Sequence, residues 1–291
     1  MKTNISVVPR QLMMDPKGGI ALARGFLKMG RARVFKKHFE NYNHMKNFGL
    51  IYLKLTPLCN LRCVMCGQRG VKGYLKGEVG LRESKTILSL DDYKKLVDEL
   101  APHQPVWYLW GGEPFLYPDL IPLVKYIRSK GMYVSINTNG TLLEKYAEQI
   151  VEAGANTIFV SLDAFKEVND EIRGPGSYDK VVAGFKAINE AKAKLKKSIP
   201  SMGIVTTVTN KNYETLDQLA EASREFHINW HIYNLGTYTN DEIVAAQKKY
   251  MKEKLDTDID CLEAYNTGFN EGIDSQKLYN ILETIHATNY G

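Results

Sequence analysis

Residues 50–66 read LIYLKLTPLCNLRCVMC. Seven residues rich in Leu, Ile and Tyr form a short apolar run with the composition of a strand. Pro57 ends it, and the chain passes at once into Cys59, Cys63 and Cys66, spaced C-x3-C-x2-C. A strand that empties into a thiol-bearing loop places chemistry at the strand's C-terminal end. The question for the rest of the chain is what surrounds that end.

Downstream the same switch recurs. Predicted strands cover 105–110, 132–138, 156–164, 201–209 and 228–235. Between them helical periodicity covers 89–100, 120–131, 142–155, 178–194 and 213–226, with further helices over 240–255 and 275–287. Ser89, with Asp92 three residues on, is an N-cap signal, and Ser177 has the same role before 178–194. Six strand-then-helix units with short connections describe an α/β protein with a parallel sheet covered by helices. Such a sheet either opens into a doubly wound fold or curls toward a barrel, and both place ligands at the C-terminal ends of the strands. The polar and Gly-rich segments GGEP (111–114), NTNG (137–140) and SLDA (161–164) share that edge with the cysteines.

Three thiols on one short loop suit a soft metal centre. Zinc structural sites take four protein ligands, so zinc requires a fourth from His44, His103 or Cys261. None of these sits in a recognisable half-site. A [4Fe–4S] cluster accepts three thiolates and leaves one iron open to a small ligand. Both readings, an iron–sulfur enzyme and a zinc-stabilised binding module, are compatible with the spacing.

The C-x3-C-x2-C loop after the first strand and Gly111-Gly112-Glu113-Pro114 after the second together resemble the radical S-adenosylmethionine (radical SAM) superfamily. NTNG, SLDA and RGPGSYDKVV (173–182) extend the resemblance over roughly residues 50–235. It implies a partial (β/α)6 TIM-like barrel with an N-terminal helical arm and extra C-terminal helices. It implies that Cys59, Cys63 and Cys66 ligate three irons of one [4Fe–4S] cluster and that S-adenosylmethionine chelates the fourth. One electron, from a donor such as flavodoxin or ferredoxin, would then cleave the cofactor to a 5′-deoxyadenosyl radical. That radical takes a hydrogen atom from a peptide or small-molecule substrate, including a lipid or cofactor precursor. The cofactors carry this chemistry, and the protein positions them.

The resemblance also assigns cofactor-binding residues: Gly111, Gly112, Glu113, Asn137, Asn139, Ser161 and Arg173. The glycines admit a ligand close to the backbone, and Arg173 is a partner for the cofactor carboxylate. Backbone near Thr206 or Val208 is expected beside adenine. Asp163 and His231 are the candidates for contact with ribose or substrate, His231 from a position that can face the barrel interior. Met65, Tyr108 and Trp110 can shield the site from water. Relatives acting on peptides often carry a cysteine-rich extension with further clusters. Here Cys261 stands alone, so a single cluster is expected.

The 291 residues carry 38 Lys and Arg against 33 Asp and Glu, a net charge of +5. That charge is unevenly placed. Residues 1–48 hold ten basic residues against Asp15 and Glu40, leaving the remainder slightly acidic. Within them, residues 19–40 set Ile20, Phe26, Leu27, Val34 and Phe39 at helical spacing among basic side chains. The division expected is a basic amphipathic arm (1–48), a barrel core (49–235) and a C-terminal helical segment (236–291). The arm suits either a helix packed on the body or an anionic surface, a membrane or an acidic partner. No stretch is long and apolar enough to span a bilayer, and no signal-peptide core opens the chain. A cytoplasmic protein, peripheral at a membrane if the arm engages one, is expected. Nucleic acid is not, because the basic residues lack an aromatic-lined sheet motif.

Overall fold

The computed structural model describes residues 7–34, 49–75, 77–235, 239–257, 263–265, 268 and 271–289. Two helices, α1 (Val7–Met14) and α2 (Pro16–Val34), precede the sheet. Strands β1 (Leu50–Lys54), β2 (Val106–Trp110), β3 (Val134–Thr138), β4 (Thr157–Ser161), β5 (Ser201–Val208) and β6 (Trp230–Leu235) follow in the spatial order 1-2-3-4-5-6. Every neighbouring pair is parallel. β1 and β6 each have one partner, so the sheet is a partial barrel with an open side.

Each crossover is helical. Helices α3 (Gly77–Ser84) and α4 (Leu90–Leu100) join β1 to β2, α5 (Leu120–Ser129) leads to β3, and α6 (Leu143–Ala153) leads to β4. Then α7 (Lys166–Arg173) and α8 (Ser177–Leu195) lead to β5, and α9 (Leu216–Ala222) leads to β6. Helices α10 (Asp241–Leu255) and α11 (Ser275–Asn289) complete the order. Ser89 caps α4 as expected: its Oγ accepts the Asp92 amide at 3.2 Å, and the Asp92 carboxylate reaches back to the Ser89 amide.

Strand alternation decides the two faces of the sheet. Trp107, Leu109, Ile136, Ile158, Val160, Met202 and Ile204 point outward and are fully buried beneath Leu123, Ile127, Ile150, Phe185 and Ile188 of the helices. Each such side chain contributes about 1.5–3 kcal/mol of burial. The opposite face looks into the barrel and stays partly open.

The described part of the basic arm packs on the body. Ala21 and Leu22 form a cluster with Val106 and Tyr133 at the N-terminal ends of β2 and β3. Asp15 binds Arg128 Nη2 at 3.3 Å and receives Asn156 Nδ2 at 2.5 Å. The helices therefore close the barrel floor, on the edge opposite the cysteines. Helix α2 begins three residues before the expected start and is described to Val34, so Phe35–Glu40 lie outside the described residues. None of the described helices is long and apolar enough to cross a membrane.

Three helices were not expected from the sequence: α1, α3 and α7. The polar segment KEVNDEIR of α7 lacks a broad apolar stripe, and only Asn169, Ile172 and Arg173 are buried. The expected helix over 213–226 is shorter, with a 3-10 turn over Tyr213–Thr215 and α-helix only to Ala222.

Candidate active site

The C-terminal ends of all six strands surround one cleft of about 570 Å³. Its wall includes all three clustered cysteines. Gly111 and Gly112 join it after β2, Asn137 and Asn139 at the end of β3, Ser161 at the end of β4, and Arg173 from α7. These are the residues that the edge of GGEP, NTNG and SLDA segments points to.

The cysteine loop is held by β2's continuation. Gly112 N donates to Thr56 O at 2.7 Å and Glu113 N to Leu58 O at 2.7 Å. A Cβ on Gly111 would stand 2.5 Å from Thr56 O, and one on Gly112 only 2.1 Å from Leu58 O. The glycine pair is thus required by close approach of the protein's own backbone, and both glycines also line the cleft. On the other side Val64 N donates to Ile172 O at 2.9 Å, tying the loop to α7.

Donors surround the sulfurs. Leu61 N lies 3.4 Å from Cys59 Sγ, Arg69 N 3.4 Å from Cys66 Sγ, and Asn139 Nδ2 3.7 Å from Cys59 Sγ. Arg173 Nη1 stands 4.0 Å from Cys63 Sγ. Burial pushes the Cys63 thiol up to about 11, with Arg173 acting against it, and burial also raises Cys59. On their own these groups hold their protons at neutral pH, and a bound cation is what releases them. Among the described residues no three His, Cys, Asp or Glu converge as ligands of one metal ion. His103 precedes β2, on the far edge of the sheet, while His44 and Cys261 lie outside the described residues.

Three predicted residues sit behind the cleft wall. Glu113 is wholly buried, and its carboxylate accepts Thr138 Oγ1 at 2.7 Å, Asn139 N at 2.8 Å and Phe115 N at 3.1 Å. It joins the turn after β2 to the turn after β3. Burial pushes its carboxyl up to about 7 against these three bonds. Asp163 is also fully buried, paired with Arg173 (Nε–Oδ2 2.7 Å) and accepting Thr207 N at 2.8 Å. His231 lies on the helix-facing side of β6, opposite Ile204, and not toward the barrel interior. Its Nε2 is 2.8 Å from Thr206 Oγ1 and its Nδ1 3.0 Å from Tyr233 Oη. Thr206 donates to Leu162 O, so it accepts from Nε2–H, and Nδ1 accepts from Tyr233. Burial lowers His231 to about 4, which keeps it neutral.

Asn139 is committed to the cysteine loop, donating to Asn60 Oδ1 at 2.9 Å and accepting Thr141 N at 3.0 Å. Asn137 Oδ1, in contrast, is buried and has no hydrogen-bond partner among the described residues. Ser177 does not cap α8. It is the helix's first residue, and Asp170 takes the amides of Gly176 and Tyr178 at 2.7 and 2.9 Å.

Thr207 and Thr209, on either side of Val208, line the cleft, so the backbone stretch near Thr206 and Val208 does run along it. Asn234, Leu235 and Tyr265 were not foreseen. Tyr265 belongs to a 3-10 turn far along the chain, and its ring fills the space where a Gly67 Cβ would meet it at 2.3 Å. Gly67, next to Cys66, was the available signal.

The sequence pattern of the radical SAM superfamily matches residues 53–222, which is more than half of the chain. The chain belongs to the radical SAM superfamily. An AdoMet-dependent heme synthase of Methanosarcina barkeri is 32% identical to this radical SAM chain over 191 residues, covering 64% of this chain and 50% of that protein. A tungsten-containing aldehyde ferredoxin oxidoreductase cofactor-modifying protein of Pyrococcus furiosus is 30% identical over 178 residues, covering 58% and 46%. The radical SAM chain thus spans about half the length of these curated relatives. Among solved structures, Streptococcus suis SuiB bound to S-adenosylmethionine superposes with a TM-score of 0.61 at 18% identity, covering 90% of this chain and 52% of that one. That likeness is one of fold, and it agrees with the partial barrel.

Proposed function

We propose that this enzyme holds a [4Fe–4S] cluster on Cys59, Cys63 and Cys66 and binds S-adenosylmethionine beside it, to act on a peptide or small-molecule substrate. The observation that carries this reading is the convergence of three thiols, with N–H donors directed at their sulfurs, on one cleft at the strand ends. When bound, the cluster and cofactor supply reductive cleavage of the sulfonium to a carbon radical that abstracts hydrogen. A single metal ion would need the thiols drawn to one point. A cluster offers each thiolate its own iron and leaves one iron open to a small ligand, whereas structural zinc takes four protein ligands.

The chain's own residues have distinct tasks. Arg173, kept charged and oriented by Asp163, presents guanidinium N–H groups for a carboxylate. Asn137 Oδ1 is an unspent acceptor for an ammonium or amide donor. Glu113 and Asn139 fix the loops on which the glycine rim and the cysteines stand. Tyr265 covers the Gly67 side of the loop and limits water there. An external one-electron donor such as flavodoxin or ferredoxin completes the requirement.

Relatives support both substrate classes. SuiB has been crystallised with its precursor peptide SuiA, whereas the heme synthase and GTP 3′,8-cyclase relatives carry small-molecule names. The test is anaerobic turnover with deuterated peptides and metabolites encoded by or made near the gene. Deuterium appearing in 5′-deoxyadenosine identifies the substrate. A colourless protein that takes up zinc and never iron would contradict the reading.

A further inference from the structure

Helix α2 lays one side on the barrel floor and turns the other to solvent. Gly18, Ala21, Leu22 and Gly25 are buried against the body, whereas Pro16, Lys17, Ile20, Arg24 and Leu27 are exposed. At about 100° per residue these five fall on one strip, roughly a third of the helix circumference. Ile20 is 47% exposed and Leu27 67%. They stand seven residues apart, about 10 Å along the axis. Lys17 and Arg24 form a second row beside them with the same spacing. Met13, near the end of α1, is 79% exposed.

The composition of this strip sets it apart. A surface helix ordinarily turns charged and polar side chains to water and keeps large aliphatic ones inside. Helix α2 carries Lys17, Arg24, Lys28, Arg31 and Arg33 and no Asp or Glu. Asp15, just ahead of it, is turned inward to Arg128 and Asn156. Lys28 is spent on the body, donating to His103 O. Lys17 and Arg24 have no hydrogen bond or ion pair among the described residues. The Ser198 hydroxyl donates to Met14 O, which sets the turn bearing exposed Lys196 beside the start of α2. Cations interleaved with exposed aliphatic side chains match a surface that is anionic outside and apolar within. A protein interface relies on aromatic anchors and keeps lysine out of its core, and this strip has no aromatic residue.

We propose that the outward strip of α2, together with Met13, docks this protein on an anionic lipid bilayer. Lys17 and Arg24 meet the headgroups, and Met13, Ile20 and Leu27 enter the boundary between headgroups and acyl chains. The inference is independent of the cluster chemistry, because it concerns the barrel floor. The cysteine cleft opens at the opposite edge of the sheet, so it faces the aqueous phase when the floor rests on the membrane. Three aliphatic side chains and two cations give peripheral, reversible attachment.

The probe is vesicles of equimolar phosphatidylcholine and phosphatidylglycerol, compared with phosphatidylcholine alone, in co-sedimentation with the full chain. The wild type is expected to pellet with the anionic vesicles only, and to be released as salt is raised. Lys17→Gln with Arg24→Gln should weaken binding roughly thirtyfold, about fivefold for each charge. Ile20→Ser with Leu27→Ser should weaken it at least about tenfold. These side chains are exposed, so both double variants are expected to fold, which far-UV circular dichroism checks. Lys186→Gln with Lys249→Gln removes the same charge from exposed positions on α8 and α10 and should bind as the wild type does. A wild type that ignores anionic vesicles overturns the proposal without need of any variant, and capture by polyglutamate in place of vesicles assigns the strip to an acidic protein instead. Binding that survives in either folded double variant of the strip, or is lost equally in the α8 and α10 control, overturns it as well.

Discussion

Arg173, in the cleft wall, is bound to Asp163 behind it, Nε 2.7 Å from Oδ2 and Nη2 3.0 Å from Oδ1. Asp163 comes from the end of β4 and Arg173 from the last turn of α7. The pair therefore fixes the helix that touches the cysteine loop to the strand edge that forms the cleft. Both groups are nearly inaccessible, so solvent does little to screen them.

Breaking that pair leaves a buried charge without compensation. Asp163→Asn and Arg173→Gln are each expected to cost about 3–5 kcal/mol in urea unfolding. The double variant should cost clearly less than the two together, because it buries no lone charge. Additive losses would show that the two residues act separately.

Stability against pH reports on two groups with opposite signs. Glu113 has its carboxyl raised from 4.5 to about 7 by burial. Between these values the folded chain keeps a proton that the unfolded chain releases, so stability from Glu113 falls as pH rises. His231 is lowered from 6.5 to about 4 by burial. There the unfolded chain binds the proton, so stability from His231 is lost as pH falls. Each is worth roughly 3 kcal/mol across its window. The two nearly cancel in the wild type between pH 4.5 and 6.5. Glu113→Gln should make stability rise with pH in this range, and His231→Gln should make it fall. Urea midpoints at several pH values read both slopes, and parallel curves for all three proteins would refute the assignment.

Gly112→Ala forces a methyl to within 2.1 Å of Leu58 O. The backbone between Thr56 and Cys59 must move to admit it. A cost of about 1–3 kcal/mol is expected, together with reduced iron uptake on anaerobic reconstitution. Iron uptake equal to wild type would show that the glycine rim does not position the cysteine loop.

Asp170 accepts the first amides of α8 along with the Ser177 hydroxyl at 3.0 Å. Burial alone would raise its carboxyl, but these three donors hold it below the ordinary value. Asp170→Ala should cost about 1 kcal/mol, the usual loss for a helix cap, whereas Ser177→Ala should cost less. The reverse order in thermal unfolding would restore Ser177 as the cap.

The alternation of β-branched or aromatic runs with helical periodicity made the six-unit sheet legible, and GGEP, NTNG and SLDA marked its functional edge. Spacing along the chain could not say which side of that edge each residue faces. His231 and Trp230 are neighbours in β6, yet one faces the helices and the other the interior, as the partner strand's register decides. Glu113 and Asp163 were expected to meet cofactor, ribose or substrate, and their buried partners Asn139 and Arg173, 26 and 10 residues away, left no mark in the local sequence. Tyr265 was invisible for the same reason, since only the folded chain brings it to Gly67. Nor could spacing show that Gly111 and Gly112 pass against Thr56 and Leu58, because backbone approaching backbone leaves no distinct composition.

The most direct measurement is the 5′-deoxyadenosine formed by the anaerobically reconstituted full chain with S-adenosylmethionine and dithionite, wild type against Cys63→Ala. The expected result is a brown wild-type protein with about four irons per chain that releases 5′-deoxyadenosine, and a variant that yields none above background. Release by the variant at the wild-type level, or none from an iron-loaded wild type, would contradict the cysteine cleft as the seat of the chemistry.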